Sequence, residues 1–148
     1  MKRYLLPGLL ITMLITASSP KPDSMQVNAG IVTSKIKETK SFYCEKLGFS
    51  IVFETDWFIL LQAPNSNDRI SFLQPKHPSQ QPIFQPAFEG KGVYFTIEVD
   101  NLEEWYQKIK SKGIKIEVEP REEPWGDRHF AFYDPNGVGI DIVKYKAP

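Results

Sequence analysis

The chain is poor in residues that cross-link proteins or grip metals: of 148 residues, one is cysteine and two are histidine. The single thiol, Cys44, excludes an intrachain disulfide and any multi-cysteine metal site. Its acidic neighbour Glu45 does not favour a thiolate, so Cys44 reads as structural. Neither sign of charge is in excess: 18 basic and 18 acidic residues give a formal net charge of zero. Nothing therefore points to nucleic acid or an anionic membrane surface as partner. Zero net charge also gives little electrostatic protection against self-association, which is compatible with a homodimer. The longest apolar run, Tyr4 to Ala17, falls short of the about 20 residues a membrane-spanning helix needs.

What is present is ordinary for one globular domain: 41% hydrophobic and 24% charged residues,. Aromatic residues make up 13%, enough for several to line a cavity. Lys2 and Arg3 ahead of the Tyr4–Ala17 run match a secretory signal over residues 1–24, which implies an exported chain. No cysteine in this segment could carry a lipid, so no stable membrane anchor is expected. The rival reading is translation from Met25, immediately before the first strand, which would leave a cytoplasmic domain.

From residue 26 onward the pattern repeats itself. Val27–Thr33 alternates as a strand. Lys35–Leu47 has Ile36, Thr39, Tyr43 and Leu47 on one helical face, and Gly48 caps its end. Strands over 49–54, 57–62 and 69–74 complete a β-α-β-β-β module at 26–74. A linker, 75–91, holds Pro75, Pro78, Pro82 and Pro86 and is stiff rather than helical. The second module, 92–146, has the same order. Its first strand is Val93–Val99, with Phe95, Ile97 and Val99 on one side and Tyr94, Thr96 and Glu98 on the other. A helix over 102–112 turns Leu102, Tyr106 and Ile109 inward, and Gly113 caps it. A strand at 114–119 and a closing hairpin follow. Two copies at a spacing of roughly 65 residues have the form of an internal duplication. The expected class is α+β, with paired modules forming an open, cupped, mixed sheet.

The hairpin, Glu123–Val143, is the most informative stretch. Phe130 and Phe132 alternate with His129, Ala131 and Tyr133. Asp134-Pro135-Asn136-Gly137 forms the turn: Pro135 presets φ, and Gly137 accepts positive φ at no steric cost. Val138, Ile140 and Ile142 then alternate with Gly139, Asp141 and Val143. A carboxylate in mid-strand either faces solvent or faces a partner, because burying it unpaired is costly. This stretch resembles the closing hairpin of the vicinal-oxygen-chelate superfamily, which includes glyoxalase I, extradiol dioxygenases, fosfomycin-resistance transferases and bleomycin-resistance proteins. The run Trp125-Gly126-Asp127-Arg128-His129-Phe130 followed by Asp134-Pro135-Asn136-Gly137 is most similar to the bleomycin-resistance branch. The resemblance covers about residues 26–146, including Phe42-Tyr43 and Leu47-Gly48-Phe49.

The resemblance implies four inward positions that hold a divalent ion in metal-using relatives: Asn28, Ser71, Tyr94 and Asp141 here. The usual occupants are His or Gln, Glu or His, His, and Glu. Only Asp141 is a strong ligand type, whereas catalytic sites use about three strong protein ligands and an open position. No cofactor is therefore expected. The implied function is metal-independent sequestration of a small organic ligand, one that the acidic groups would favour as a cation. Asn28, Trp57, Ser71, Tyr94, Glu98, Trp125, His129 and Asp141 are the candidate ligand-binding residues, with Phe58 adding apolar surface. The alternative is a divalent-metal enzyme, lyase or dioxygenase-like, with Asp141 as a ligand. Plainer readings remain for each: Asp141 paired with Arg128 or Lys144, His129 as a satisfied strand histidine, Trp57 and Trp125 as core or interface.

Overall fold

The computed structural model describes residues 25–146; the segment read as an export signal lies outside the described residues. The chain builds two four-stranded sheets of one design. The first module runs β1 (Ala29–Val32), α1 (Ile36–Ser41), a π-helical turn (Phe42–Leu47), β2 (Ser50–Glu54), β3 (Phe58–Gln62) and β4 (Arg69–Leu73). The second runs β5 (Tyr94–Glu98), α2 (Leu102–Ser111), β6 (Ile116–Glu122), β7 (Arg128–Tyr133) and β8 (Gly139–Lys144). The strand orders are β1-β4-β3-β2 and β5-β8-β7-β6. In each sheet the first and last strands are parallel and the other pairings antiparallel. This is the α+β architecture of paired modules that the periodicities imply.

Alternation decides what each face does. Ile59, Leu61, Ile70 and Phe72 in one sheet, and Phe130, Phe132, Ile140 and Ile142 in the other, are buried. Together with the helices they form one continuous core. Among the described residues, no helix packs on the opposite face of either sheet. Modules are tied together by the turn between β7 and β8. The Tyr43 hydroxyl donates to Asp134 Oδ2 at 3.2 Å, Thr33 Oγ1 to Asn136 Oδ1 at 2.6 Å, and Lys35 Nζ to the Pro135 carbonyl at 2.7 Å. Asp134 also accepts from the backbone N–H of Asn136 and Val138, so this buried carboxylate is hydrogen-bonded on both oxygens. Burial, and then the negative charge beside it, hold the Tyr43 phenol far above its ordinary value, so it stays a donor,.

Four details depart from the sequence expectation. The first strand begins at Ala29, not Val27, and Val27 is exposed. The helix expected to run to Leu47 widens at Phe42 into a π-helical turn, with the Gly48 and Phe49 N–H groups both reaching the Tyr43 carbonyl. Consecutive Phe42 and Tyr43 are thereby both buried. Phe42 faces Phe132 of the second module, and Tyr43 faces Phe72 of its own. The strand expected to end at Glu119 continues through Pro120 to Glu122, which an edge strand permits because its outer N–H groups need no ladder partner,. Within the proline-rich linker, Pro82–Phe84 makes a single 3-10 turn.

Candidate functional site

The uncovered faces of the two sheets hold most of the candidate residues, and they differ in chemistry. Two equivalent hydrogen bonds align the modules: Thr33 N–H to Leu73 O and Val99 N–H to Val143 O. In that alignment Asn28 corresponds to Tyr94, Gly30 to Thr96 and Ser71 to Asp141. Gly30 lies beside Ser71, and a Cβ there would sit 3.0 Å from the Ser71 hydroxyl. Thr96 lies beside Asp141. Gly139 leaves room for Tyr94, whose Cβ lies 3.2 Å from where a Cβ on the glycine would be.

In the second module the open face is polar. His129 Nδ1 is 2.9 Å from Asp141 Oδ1, and its Nε2 is 2.9 Å from Glu123 Oε1. Arg121 Nε donates to the same Glu123 oxygen at 2.6 Å. That Arg121 hydrogen bond, helped by His129, holds the Glu123 carboxyl below the usual carboxylate range. Asp141 thus pairs with neither Arg128 nor Lys144: alternation puts those two on the other side of the sheet. Glu98 shares the face. It is matched in register with Val143, which is matched with His129. No hydrogen bond or ion pair engages Glu98 among the described residues.

In the first module the open face is aromatic at its β2–β3 end, while Gln62, Arg69 and Ser71 share the same face by alternation. Phe53 packs on Phe58, Phe58 on Trp57, and Trp57 stacks on His77 of the linker with ring centroids 4.4 Å apart. Ser71 donates to the Ala29 carbonyl at 3.4 Å, and Asn28 is exposed just before β1. Trp125 is 66% exposed in the β6–β7 loop, away from any core. The structure therefore brings His129 and Asp141 together and places Tyr94 and Glu98 on their sheet. Asn28, Trp57 and Ser71 belong to the other sheet. Glu123, Arg121 and Phe53 complete the two walls, and the sequence reading assigned them no role. The signal for Glu123 was a carboxylate six residues from a strand histidine.

A cavity of about 800 Å³ opens between the modules. Phe49, Arg69, Phe95 and Trp105 help to line it, and Glu98 alone among the candidate residues reaches it. Cys44 is half-buried, and desolvation raises its thiol above the ordinary value, which disfavours the thiolate,. The four positions that would hold a divalent ion offer an amide, a hydroxyl hydrogen-bonded to backbone, a phenol and one carboxylate already engaged by His129. That donor set does not fit a catalytic divalent metal. Among the described residues no group of three or more His, Cys, Asp or Glu is arranged to hold one.

Two sheets of the same β-α-β-β-β design, each with its first and last strands parallel, define a paired-module protein. The chain belongs to the Glyoxalase/Bleomycin resistance protein/Dioxygenase superfamily, whose family model matches residues 25–142. It is 29% identical over 116 residues to a bleomycin resistance protein of Geobacillus stearothermophilus, covering 74% of this chain and 88% of that one. Its fold is similar to the bleomycin resistance determinant encoded on transposon Tn5, with TM-score 0.62, 25% identity, and coverage of 84% of this chain and 100% of that one. The lactoylglutathione lyase of Agrobacterium tumefaciens shares the fold at TM-score 0.68 and 17% identity, over 84% of this chain and 96% of that one.

Proposed function

We infer that the chain binds a small organic ligand without a metal ion, in the manner of the bleomycin-resistance branch of its superfamily. The observation that carries this reading is the pair of unlike open faces. One wall is aromatic and aliphatic, around Phe53, Trp57 and Phe58. The other presents Glu98 and the linked groups Asp141, His129 and Glu123. An apolar surface with a few convergent polar groups suits an organic molecule with a charged end. The carboxylates favour a cationic or amine-bearing one. Sequestration needs only affinity.

The cup is completed by a second copy of the chain. The helix-bearing sides of the two modules share one core, so their bare faces are not packed on each other within a chain. Phe53 and Tyr94 are 55% and 70% exposed on those faces, where a partner would cover them,. In such a homodimer the apolar wall of one protomer stands opposite the polar wall of its partner.

A thermal-shift screen of the metal-free chain against bleomycin and smaller amine-bearing aromatic compounds tests the reading. Stabilisation by a cationic compound, lost in Asp141→Ala with the melting temperature of the free variant unchanged, is the expected result. Stabilisation confined to metal-supplemented samples would overturn it.

A further inference from the structure

The cavity between the modules holds a charged side chain that no group of the described chain engages. Arg69, the first residue of β4, lines it and is half-buried. Its Nε is buried with no hydrogen-bond partner among the described residues. No ion pair reaches the guanidinium either. The adjacent carboxylate, Asp68, is turned to Ser66, whose Oγ donates to its Oδ2 at 2.5 Å. Buried polar groups are ordinarily hydrogen-bonded, and a charged donor without an acceptor is costly. A guanidinium cannot relieve that cost by losing its proton. Its Nε–H and one Nη–H form a parallel fork that matches the two oxygens of a carboxylate.

The rest of the lining has two parts. Three exposed carboxylates, Asp68, Glu98 and Asp100, border the cavity. Aromatic surface comes from each module: Phe49 just before β2, and Trp105 on α2, both half-buried. A simple anion would be repelled by the carboxylates, and a simple cation would leave Arg69 unpaired. A molecule that carries both charges on an aromatic body meets all three parts of the lining. We propose that the cavity is a second binding site, and that it takes an aromatic amino acid. The ligand's carboxylate accepts from Arg69, its ammonium faces Glu98 and Asp100, and its ring packs against Phe49 and Trp105. No net charge enters, so the surplus of carboxylates does not oppose binding. The site is separate from the bare faces and goes beyond the reading proposed for them; Glu98 borders both. A ligand held between Phe49 and Trp105 touches both modules and braces one against the other.

Titration of the full chain with L-phenylalanine, followed by NMR, tests the proposal. The three tryptophans, Trp57, Trp105 and Trp125, each give one indole N–H signal. Saturable movement of the Trp105 signal is expected, with the other two fixed. Arg69→Gln should weaken binding roughly 10- to 100-fold, the range of a hydrogen bond to a charged group. That change removes an unpartnered buried donor, so its unfolding midpoint should not fall. Arg69→Lys keeps the charge without the fork and should recover little of the affinity. Two titrations of the wild type need no variant. 2-Phenylethylamine lacks the carboxylate and 3-phenylpropanoate lacks the ammonium, and each should bind several-fold more weakly than the amino acid. Either fragment binding as well as L-phenylalanine, undiminished binding in Arg69→Gln, or no saturable shift up to the solubility limit overturns the proposal. So does movement of Trp57 or Trp125 in place of Trp105, which would put the ligand on the bare faces. Titration with bleomycin decides the reading of those faces separately.

Discussion

The two modules share strand order, register and sense, yet their bare faces have opposite characters. At the position where β4 carries Ser71 beside Gly30, β8 carries Asp141 beside Thr96. Where the second module links Asp141 to His129 and Glu123, the first stacks Trp57 on His77 and packs Phe53 on Phe58. The helices differ as well. α2 has ten residues, with Asn101 as a side-chain N-cap accepting from the Glu104 N–H at 3.2 Å. α1 has six, lacks a side-chain cap, and gives way to the π-helical turn that buries Phe42 and Tyr43. One topology thus serves two tasks: the first helix holds the modules together, and the second face carries the charged chemistry.

The largest effect expected comes from breaking the tie. Asp134→Ala removes the acceptor for the Tyr43 hydroxyl and for two backbone N–H groups in a buried site. It should cost about 3–5 kcal/mol in denaturant unfolding. A loss below about 1 kcal/mol would show that the DPNG turn does not join the modules. Next is the contrast between the walls. Asp141→Ala should weaken binding of a cationic ligand roughly 10- to 100-fold, the range of a hydrogen bond to a charged group, while Ser71→Ala changes it little. Equal effects would erase the functional difference between the faces. The helices offer a smaller contrast. Asn101→Ala should cost about 1 kcal/mol, with no counterpart on α1, where Lys35 provides no side-chain cap,.

The smallest effect concerns pH. The Glu123 carboxyl is held below its usual value by Arg121 first and His129 second. A carboxylate depressed in this way adds stability that is fully present above its unfolded value of about 4.3 and is lost as pH falls through the folded one. Acid titration of stability should therefore show a small excess for the wild type over Glu123→Gln near neutrality, shrinking to nothing at the acidic end.

Much of this was legible in the sequence. Period-2 alternation assigned Tyr94, Thr96, Glu98, His129 and Asp141 to one side of their strands, and Phe130, Phe132, Ile140 and Ile142 to the other. The Asp-Pro-Asn-Gly turn was read from its backbone requirements, but its second task was hidden. Its partners Tyr43 and Thr33 lie 91 and 103 residues away, and long-range hydrogen bonds leave no local pattern. The π-helical turn was missed for a related reason. Helical periodicity puts Tyr43 inward and its neighbour Phe42 outward, and only packing against Phe132 rewards the extra residue. The plainer alternative for Asp141, a pair with Arg128 or Lys144, followed charge complementarity alone. Alternation carries both to the opposite face and leaves His129 as the nearer neighbour.

The proposed capture of an organic ligand by the unlike walls needs no metal ion. Calorimetric titration of the chelator-treated full chain with bleomycin, repeated after adding Zn²⁺, Ni²⁺, Mn²⁺ or Fe²⁺, decides it. Saturable binding in the metal-free protein, with affinity unchanged by any of the ions, is the predicted result. Binding that appears only when one of the ions is restored, with that ion retained in stoichiometric amount, would contradict it and return the chain to the metal-using side of its superfamily.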